Sequence, residues 1–347
     1  METQKHLRHG HRRPTRSGLF YVLRDVALLV AAMNVFALFH HVLPRKLTPA
    51  GDMQTVSAAK GADPSPLSPT QTVFLSAEAT ASVSGAVPSP APTLAPTPVP
   101  GDFSAAFPTF DTGKGALYSC QTDSVRIAVN KIEKNSVTYF VADVYIKSIE
   151  ALKTAFARDT YGKNIYAFPT KTAVNSGAVF AVTGDYYSAR SKGVVARNGE
   201  LYRDVPGESC CVLYKNGEMK TYTGETPDLT DFASQSIWQI WSFGPALLTD
   251  DGAKINEFTT SLNDRNPRCG VGYYAPGHYC FIVVDGRQKG YSIGVRLTEF
   301  SAIFEKLGCR QAYNLDGGAT AIMMWNGEVI NKPYKGGRES GDIIYFA

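Results

Sequence analysis

The order of apolar and polar positions is informative from about Asp111 to Ala347. Val125-Arg126-Ile127-Ala128-Val129 and the stretch Val137 to Ile146 carry partial period-two patterning, which predicts strands. Phe281-Ile282-Val283-Val284 is a continuous apolar run, the pattern of a strand buried on both faces. Val179 to Thr183 and Ala312 to Leu315 predict two more buried strands. Asn198-Gly199 between Val194–Arg197 and Glu200–Tyr202, and Asn216-Gly217 between Cys211–Tyr214 and Met219–Tyr222, predict two hairpins. Pro276-Gly277 predicts a third, joining Gly270–Tyr274 to Tyr279–Val284. Helical spacing is clearest over Leu297 to Leu307, where Phe300, Ile303, Phe304 and Leu307 form one stripe. Thr298 is its expected cap and Gly308 its expected stop. Shorter helices are expected at Ile149–Ala157, Thr170–Asn175 and Asp228–Ser234. Many short strands and few helices predict an α+β fold, with mixed β-sheets and a few packed helices in a single globular domain.

Three of the apolar runs share an ending. Thr183-Gly184-Asp185, Val284-Asp285-Gly286-Arg287 and Leu315-Asp316-Gly317-Gly318 each break a strand with glycine beside aspartate. Glycine lets the backbone adopt positive φ or approach a ligand closely. Asn314 and Asp316 stand at i and i+2, so an extended chain turns both to one side. The pattern also fits a plain hairpin, since Asp-Gly between apolar runs is the ordinary hairpin signal. After Asp285, however, the chain continues as the polar loop Arg287 to Ser292 rather than as a returning strand. If the three ends meet, their carboxylates share one cleft. The expectation is that the strands ending near Thr183, Val284 and Leu315 lie in one sheet system, with these ends on the same edge.

The first 110 residues have another character. Lys5, Arg8, Arg12, Arg13 and Arg16 crowd a basic arm at 1–18. Leu19 to Leu43 is largely apolar, close to the ~20 residues that span a bilayer. No small-residue cleavage pattern follows, so 19–43 is expected to be an uncleaved transmembrane signal anchor with the basic arm in the cytoplasm. Residues 44–110 hold many Pro, Ser, Thr and Ala, a composition expected of a disordered linker. The domain at 111–347 would then lie outside the cell, tethered to its membrane by the N-terminal helix.

Histidine narrows the chemistry. The chain has six, and only His278 falls in the domain, in a turn expected to be exposed. A Ser-His-Asp triad and multi-histidine zinc sites are therefore unsupported. No P-loop pattern occurs. The overall charge is +4, and the domain lacks a dense basic patch, so no nucleic-acid partner is expected. All six cysteines lie in the domain, as disulfides or as buried thiols. No cofactor is expected. Oxygen ligands at Asp185, Asp285 and Asp316 would suit a divalent cation, but no EF-hand-like spacing accompanies them, and no metal is assigned. What remains is carboxylates and arginines. Arg268 at a strand start and Arg287 in an Asp-Gly-Arg turn are the candidates for an anion, because a guanidinium binds phosphate in a bidentate fork.

Six segments in order carry a resemblance: Thr183-Gly184-Asp185-Tyr186-Tyr187, Arg197-Asn198-Gly199-Glu200-Leu201-Tyr202, Phe243-Gly244-Pro245, Arg265-Asn266-Pro267-Arg268, Val284-Asp285-Gly286-Arg287-Gln288 and Asn314-Leu315-Asp316-Gly317-Gly318-Ala319-Thr320. Together they resemble the phosphodiester glycosidase family, from about Val125 to Ala347. Thr183 and Ala319 depart from it, standing where the family often has Asn and a further Gly or Ser. The resemblance implies hydrolysis of a sugar-1-phosphodiester at the anomeric C–O bond. A phosphodiester leaves as a stable anion, so charge stabilisation matters more than a proton donor. On that basis Asp316 is the expected base or nucleophile and Asp285 an assisting carboxylate. Arg268 and Arg287 would clamp phosphate, and Asn314, Asp185 and Thr320 would hold sugar hydroxyls, with the backbone opened at Gly184, Gly317 and Gly318. Envelope or exopolysaccharide sugar phosphates are the expected substrates. A non-catalytic carbohydrate-binding module at the cell surface fits the tether and linker equally well. An ordinary two-carboxylate glycosidase is the third reading, and it requires a second carboxylic acid as proton donor.

Overall fold

Two ten-residue strands, Val125–Lys134 and Val137–Ile146, pair in antiparallel register along their whole length. They belong to a computed structural model that describes residues 101–347 apart from 208 and 231. The basic arm, the apolar segment 19–43 and most of the Pro-rich stretch lie outside the described residues. Among the described residues no helix is long and apolar enough to cross a membrane.

In chain order the strands are β1 (Tyr118–Gln121), β2 (Val125–Lys134), β3 (Val137–Ile146), β4 (Lys153–Phe156), β5 (Phe180–Thr183), β6 (Val195–Arg197), β7 (Glu200–Arg203) and β8 (Ser209–Tyr214). There follow β9 (Met219–Thr223), β10 (Ile237–Trp241), β11 (Arg268–Ala275), β12 (His278–Val284), β13 (Gln311–Asn314), β14 (Met323–Trp325), β15 (Glu328–Val329) and β16 (Asp342–Phe346). The α-helices are α1 (Pro169–Asn175) and α2 (Leu297–Lys306). Three sheets result, ordered β1-β2-β3-β12-β11-β13, β7-β6-β10-β8-β9 and β15-β14-β5-β16-β4. Sheets with few helices in one domain are what the patterning predicted. The pairings between these strands are antiparallel.

One core joins the inner faces of all three sheets: Phe281 and Val271 of the first, Trp241 and Leu213 of the second, Phe180 and Phe346 of the third. Phe103, within the Pro-rich stretch, is buried in the same core, and its N–H donates to Lys147 O. The outer face of β12 packs against α2, where Ile282 and Cys280 meet Phe300 and Phe304. That two-sided burial explains the unbroken apolar run of β12. Both Asn-Gly hairpins form. Asn198 and Gly199 each adopt positive φ (52° and 84°), as a tight turn matched to strand twist requires.

Four local expectations fail. Ile149–Ala157 is not a helix: short 3-10 turns flank β4, whose Thr154 and Ala155 pair with Ile344 and Ile343. Sheet pairing overrides the local helical preference there. Asp228–Ser234 forms turns, with Asp228 Oδ1 accepting from Thr230 N–H at 3.0 Å. Helix α2 starts at Leu297 as expected, but its N-cap is Arg296, whose N–H donates to Glu299 Oε2 (2.8 Å), so Thr298 is not the cap. His278 is also not a bare turn residue. It lies between the rings of Tyr145 and Tyr274 and pairs with Asp143 Oδ1 at 2.7 Å. The six cysteines are free thiols, five of them buried.

Candidate active site

The turn after β13 is fixed by backbone bonds to two other sheet ends. Leu315 N–H donates to Cys269 O (2.8 Å), Asp316 N–H to Gly184 O (3.0 Å) and Gly318 N–H to Pro267 O (3.0 Å). Glycine is needed at both following positions. A β-carbon on Gly317 would come 2.8 Å from Pro267 O, and Gly318 has φ +65°. The Asp316 carboxylate is thus held beside the start of β11. Its Oδ1 accepts from Gly317 N–H (2.9 Å), and its Oδ2 lies 3.4 Å from Arg338 Nη2. Thr320 Oγ1 donates to Gly317 O at 2.6 Å and closes the turn. Burial pushes the Asp316 pKa up to about 6. The Thr320 hydroxyl, Arg338 and the Gly317 N–H oppose that rise, and the nearby charge of Asp185 adds to it.

A cavity of about 240 Å³ opens on this carboxylate. Asn314, Asp316, Gly317, Gly318, Arg268, Arg287 and Arg338 line it, with Phe243 and Leu262 as apolar wall. Asp316 is the only carboxylate among the lining residues. Arg268 is buried, and backbone carbonyls orient it: Nε donates to Val295 O (3.2 Å), and Nη2 to Asp264 O (2.7 Å) and to Leu262 O. Among the described residues no carboxylate forms an ion pair with it. Burial, together with the neighbouring Arg287 charge, brings the Arg268 pKa down to about 10. Arg287 is exposed, at φ +59°, and its guanidinium is held on Asn266 Oδ1 (2.9 and 2.6 Å) beside the Tyr334 ring. Asn314 donates from Nδ2 to Gly244 O (2.8 Å), while its buried Oδ1 has no donor among the described residues.

The three Asp/Gly ends do not share one sheet. β12 and β13 are in the six-stranded sheet and β5 is in another. The β12 and β13 ends nevertheless meet around Asn266-Pro267-Arg268, where Gly317 packs on Pro267 O and Gly286 on Pro267 N and Asn266, and the β5 end reaches the β13 turn through the bond from Asp316 N–H to Gly184 O. Their side chains separate. Asp285 does not line the cavity. Asn331 Nδ2 donates to its Oδ1 (2.7 Å), and the Tyr291 hydroxyl (2.9 Å) and Lys332 N–H (3.0 Å) donate to its Oδ2. Burial raises its pKa against these three donors. Asp185 is equally enclosed. Tyr187 N–H and Ser242 N–H donate to it (3.0 and 2.8 Å), and Arg197 Nη2 lies 3.0 Å from its Oδ1. Arg197, fully buried, also binds Asp342 Oδ2 through Nε at 2.9 Å. Gly184 is required behind this group, since a β-carbon there would come 2.3 Å from Asp342 Oδ1. Among the described residues no group of three or more His, Cys, Asp or Glu side chains is placed to hold a metal ion.

Arg338, Phe243 and Leu262 join the site although the apolar pattern does not mark them as site residues. Phe243 stands in one of the six family-like segments. The only signal for Arg338 is its place after Gly336-Gly337 in a loop of positive φ, the same glycine-then-charge pattern that marks the other turns.

Comparison with known proteins agrees with the motif reading. Residues 176–347 match the model of the phosphodiester glycosidase family. The solved catalytic domain of zebrafish N-acetylglucosamine-1-phosphodiester alpha-N-acetylglucosaminidase, described as auto-inhibited by a pro-peptide, superposes with a TM-score of 0.51 at 18% identity, over 64% of this chain and 82% of that one. A hypothetical protein from Synechocystis superposes with a TM-score of 0.50 at 14% identity, over 65% of this chain and 62% of its own. At such identities these two show the fold. An uncharacterized SPbeta prophage-derived protein of Bacillus subtilis, YomE, is 27% identical over 218 residues, 56% of this chain and 34% of that protein. The chain thus spans about a third of that relative's length. The six motifs, the family match and the shared fold place residues 176–347 in the phosphodiester glycosidase family.

Proposed function

We propose that the protein hydrolyses a glycosyl-1-phosphodiester at the anomeric C–O bond, with Asp316 as the reacting carboxylate. The observation that carries this is the cavity whose only carboxylate is Asp316 and whose wall holds three arginines, Arg268, Arg287 and Arg338. A sugar–sugar bond requires a second carboxylic acid to protonate a poor leaving group. A phosphodiester leaves already ionised, and guanidinium groups stabilise the charge it gains. Arg268 and Arg287 are placed to hold phosphate. Arg338 holds Asp316, which acts as nucleophile or as base toward water once ionised. Asn314 Oδ1 is the acceptor left for a sugar hydroxyl. Asp285, occupied by three internal donors, anchors the 331–332 loop rather than taking part in the chemistry, and Asp185 does the same for the buried Arg197.

In this reading the apolar segment 19–43 tethers the domain outside the cell, where envelope or exopolysaccharide sugar phosphates are the substrates. The test is to incubate the full-length protein with an N-acetylglucosamine-1-phosphodiester and measure free sugar. Release that is lost in Asp316→Asn supports the reading. Binding without turnover across several glycosyl phosphodiesters supports the carbohydrate-binding module instead.

A further inference from the structure

Phe243 is shared between the small cavity at Asp316 and its neighbours. Its ring borders the Asp316 cavity and two further hollows, of about 530 and 540 Å³. A run of stacked side chains passes through Phe243: Arg338 lies over Tyr186 (5.4 Å), Tyr186 meets Phe243 edge-on (6.1 Å), and Arg190 lies over Phe243 (4.8 Å). The two hollows differ in charge. The one toward Phe258 has both Arg190 and Glu257 in its wall. The one toward Gly193 has Arg190 and Lys192 in its wall and no carboxylate among its described residues.

The loop that carries those two cations is held from behind by a third. Arg203 donates to four carbonyls of the loop: Gly193 O (2.6 Å), Arg190 O (2.7 Å), Lys192 O (3.0 Å) and Tyr187 O (3.1 Å). Among the described residues none of Arg190, Lys192 and Arg203 has an ion-pair partner. Arg190 and Lys192 on one pinned loop, in a hollow that shares Phe243 with a cavity lined by three arginines, make a field that attracts a second anion.

We propose that this hollow is a second anion subsite for the leaving-group side of the substrate, so that the preferred substrate carries a further phosphate beyond the scissile one. The chemical class is a chain of repeating phosphodiesters rather than a lone sugar phosphate with a neutral aglycone. The proposal rests on the phosphodiester reading, but it fails separately. If that reading is right and this one wrong, a diester with a neutral aglycone is cleaved as well as one that carries a second phosphate.

The test uses the full-length protein and two synthetic ligands, N-acetylglucosamine-1-phosphoryl-methanol and the same sugar phosphate esterified to glycerol phosphate. Turnover is measured for both, and binding of both is measured by calorimetry with Asp316→Asn. For the longer ligand we expect kcat/KM at least tenfold higher, binding at least tenfold tighter, and a steeper loss of affinity with salt. Arg190→Gln with Lys192→Gln should abolish that advantage and leave turnover of the methyl diester within twofold of wild type. Equal affinity for the two ligands, no binding of either, or an equal loss on both in the double variant would overturn the proposal. Circular dichroism of the variant separates misfolding from a lost subsite, and each single substitution, expected to lose part of the advantage, gives the same reading if the double variant unfolds.

Discussion

Asp285 and Asp316 look alike in the sequence and differ in the molecule. Each follows an apolar strand, precedes glycine and is buried, and burial raises both carboxyls. The difference lies in what the chain does next. After Asp285 the polar loop folds back, so that Tyr291, Asn331 and the Lys332 N–H take both oxygens. After Asp316 the glycine pair lies flat on Pro267 O, and the carboxylate is left with its own turn and the half-exposed Arg338 at 3.4 Å. A saturated buried carboxylate positions a loop. An under-saturated one at a cavity wall keeps reactivity, and its burial lowers stability when it is charged.

Substitutions should separate the two. Asp316→Asn should cut kcat/KM by about 10³-fold or more, the scale of losing a group that acts in the transition state, and leave the fold intact. Asp285→Asn should do the reverse. It turns an amide N–H₂ toward existing donors, so it should cost about 2–4 kcal/mol in urea unfolding, with kcat changed only slightly in the folded fraction. An Asp285→Asn protein that is stable but inactive would break the comparison.

A subtler contrast concerns pH. Asp316 has a folded pKa above its unfolded value, so its favourable contribution is present below about pH 4 and is lost as pH rises through about 6. Replacing it with Asn should therefore stabilise the protein at pH 8, by roughly 3 kcal/mol at most. Activity has the opposite sign, because the ionised form reacts: kcat/KM should fall as pH drops through about 6. Arg338→Gln removes a charge that holds the Asp316 pKa down. It should shift that midpoint to higher pH and lower the rate about tenfold, within the range expected of an exposed ion-pair partner at a site. A midpoint unmoved by Arg338→Gln would mean that the pair does not tune the carboxylate. Smallest of all, Ala319→Gly should leave stability within about 1 kcal/mol, so the family departure there would have no structural consequence.

The same pair of residues shows how far the sequence could be read. Strands were legible because their two-sided burial writes itself as unbroken apolar runs, as in Phe281–Val284, and turns because Asn-Gly dictates positive φ. Lys153–Phe156 was not, because its pairing with β16 joins residues nearly two hundred positions apart and leaves no local mark. The Asp-Gly and Asp-Gly-Gly turns were legible as breaks, but whether each carboxylate was free or enclosed depended on Tyr291 and Asn331 for Asp285 and on Arg338 for Asp316. None of these is near its partner in the pattern of apolar positions. Arg197, legible only as part of a hairpin, turns out to hold Asp185 and Asp342 in a fully buried ion pair.

If Asp316 directs attack at the sugar carbon while the arginines hold an intact phosphate, the bond that breaks is the one between anomeric carbon and oxygen. Hydrolysis of an N-acetylglucosamine-1-phosphodiester in water enriched in heavy oxygen reads that bond directly. The heavy atom should appear on the anomeric hydroxyl of the released sugar and not on the phosphate, with both products absent in Asp316→Asn. Heavy oxygen in the phosphate would show attack at phosphorus, and would contradict the role assigned to Asp316.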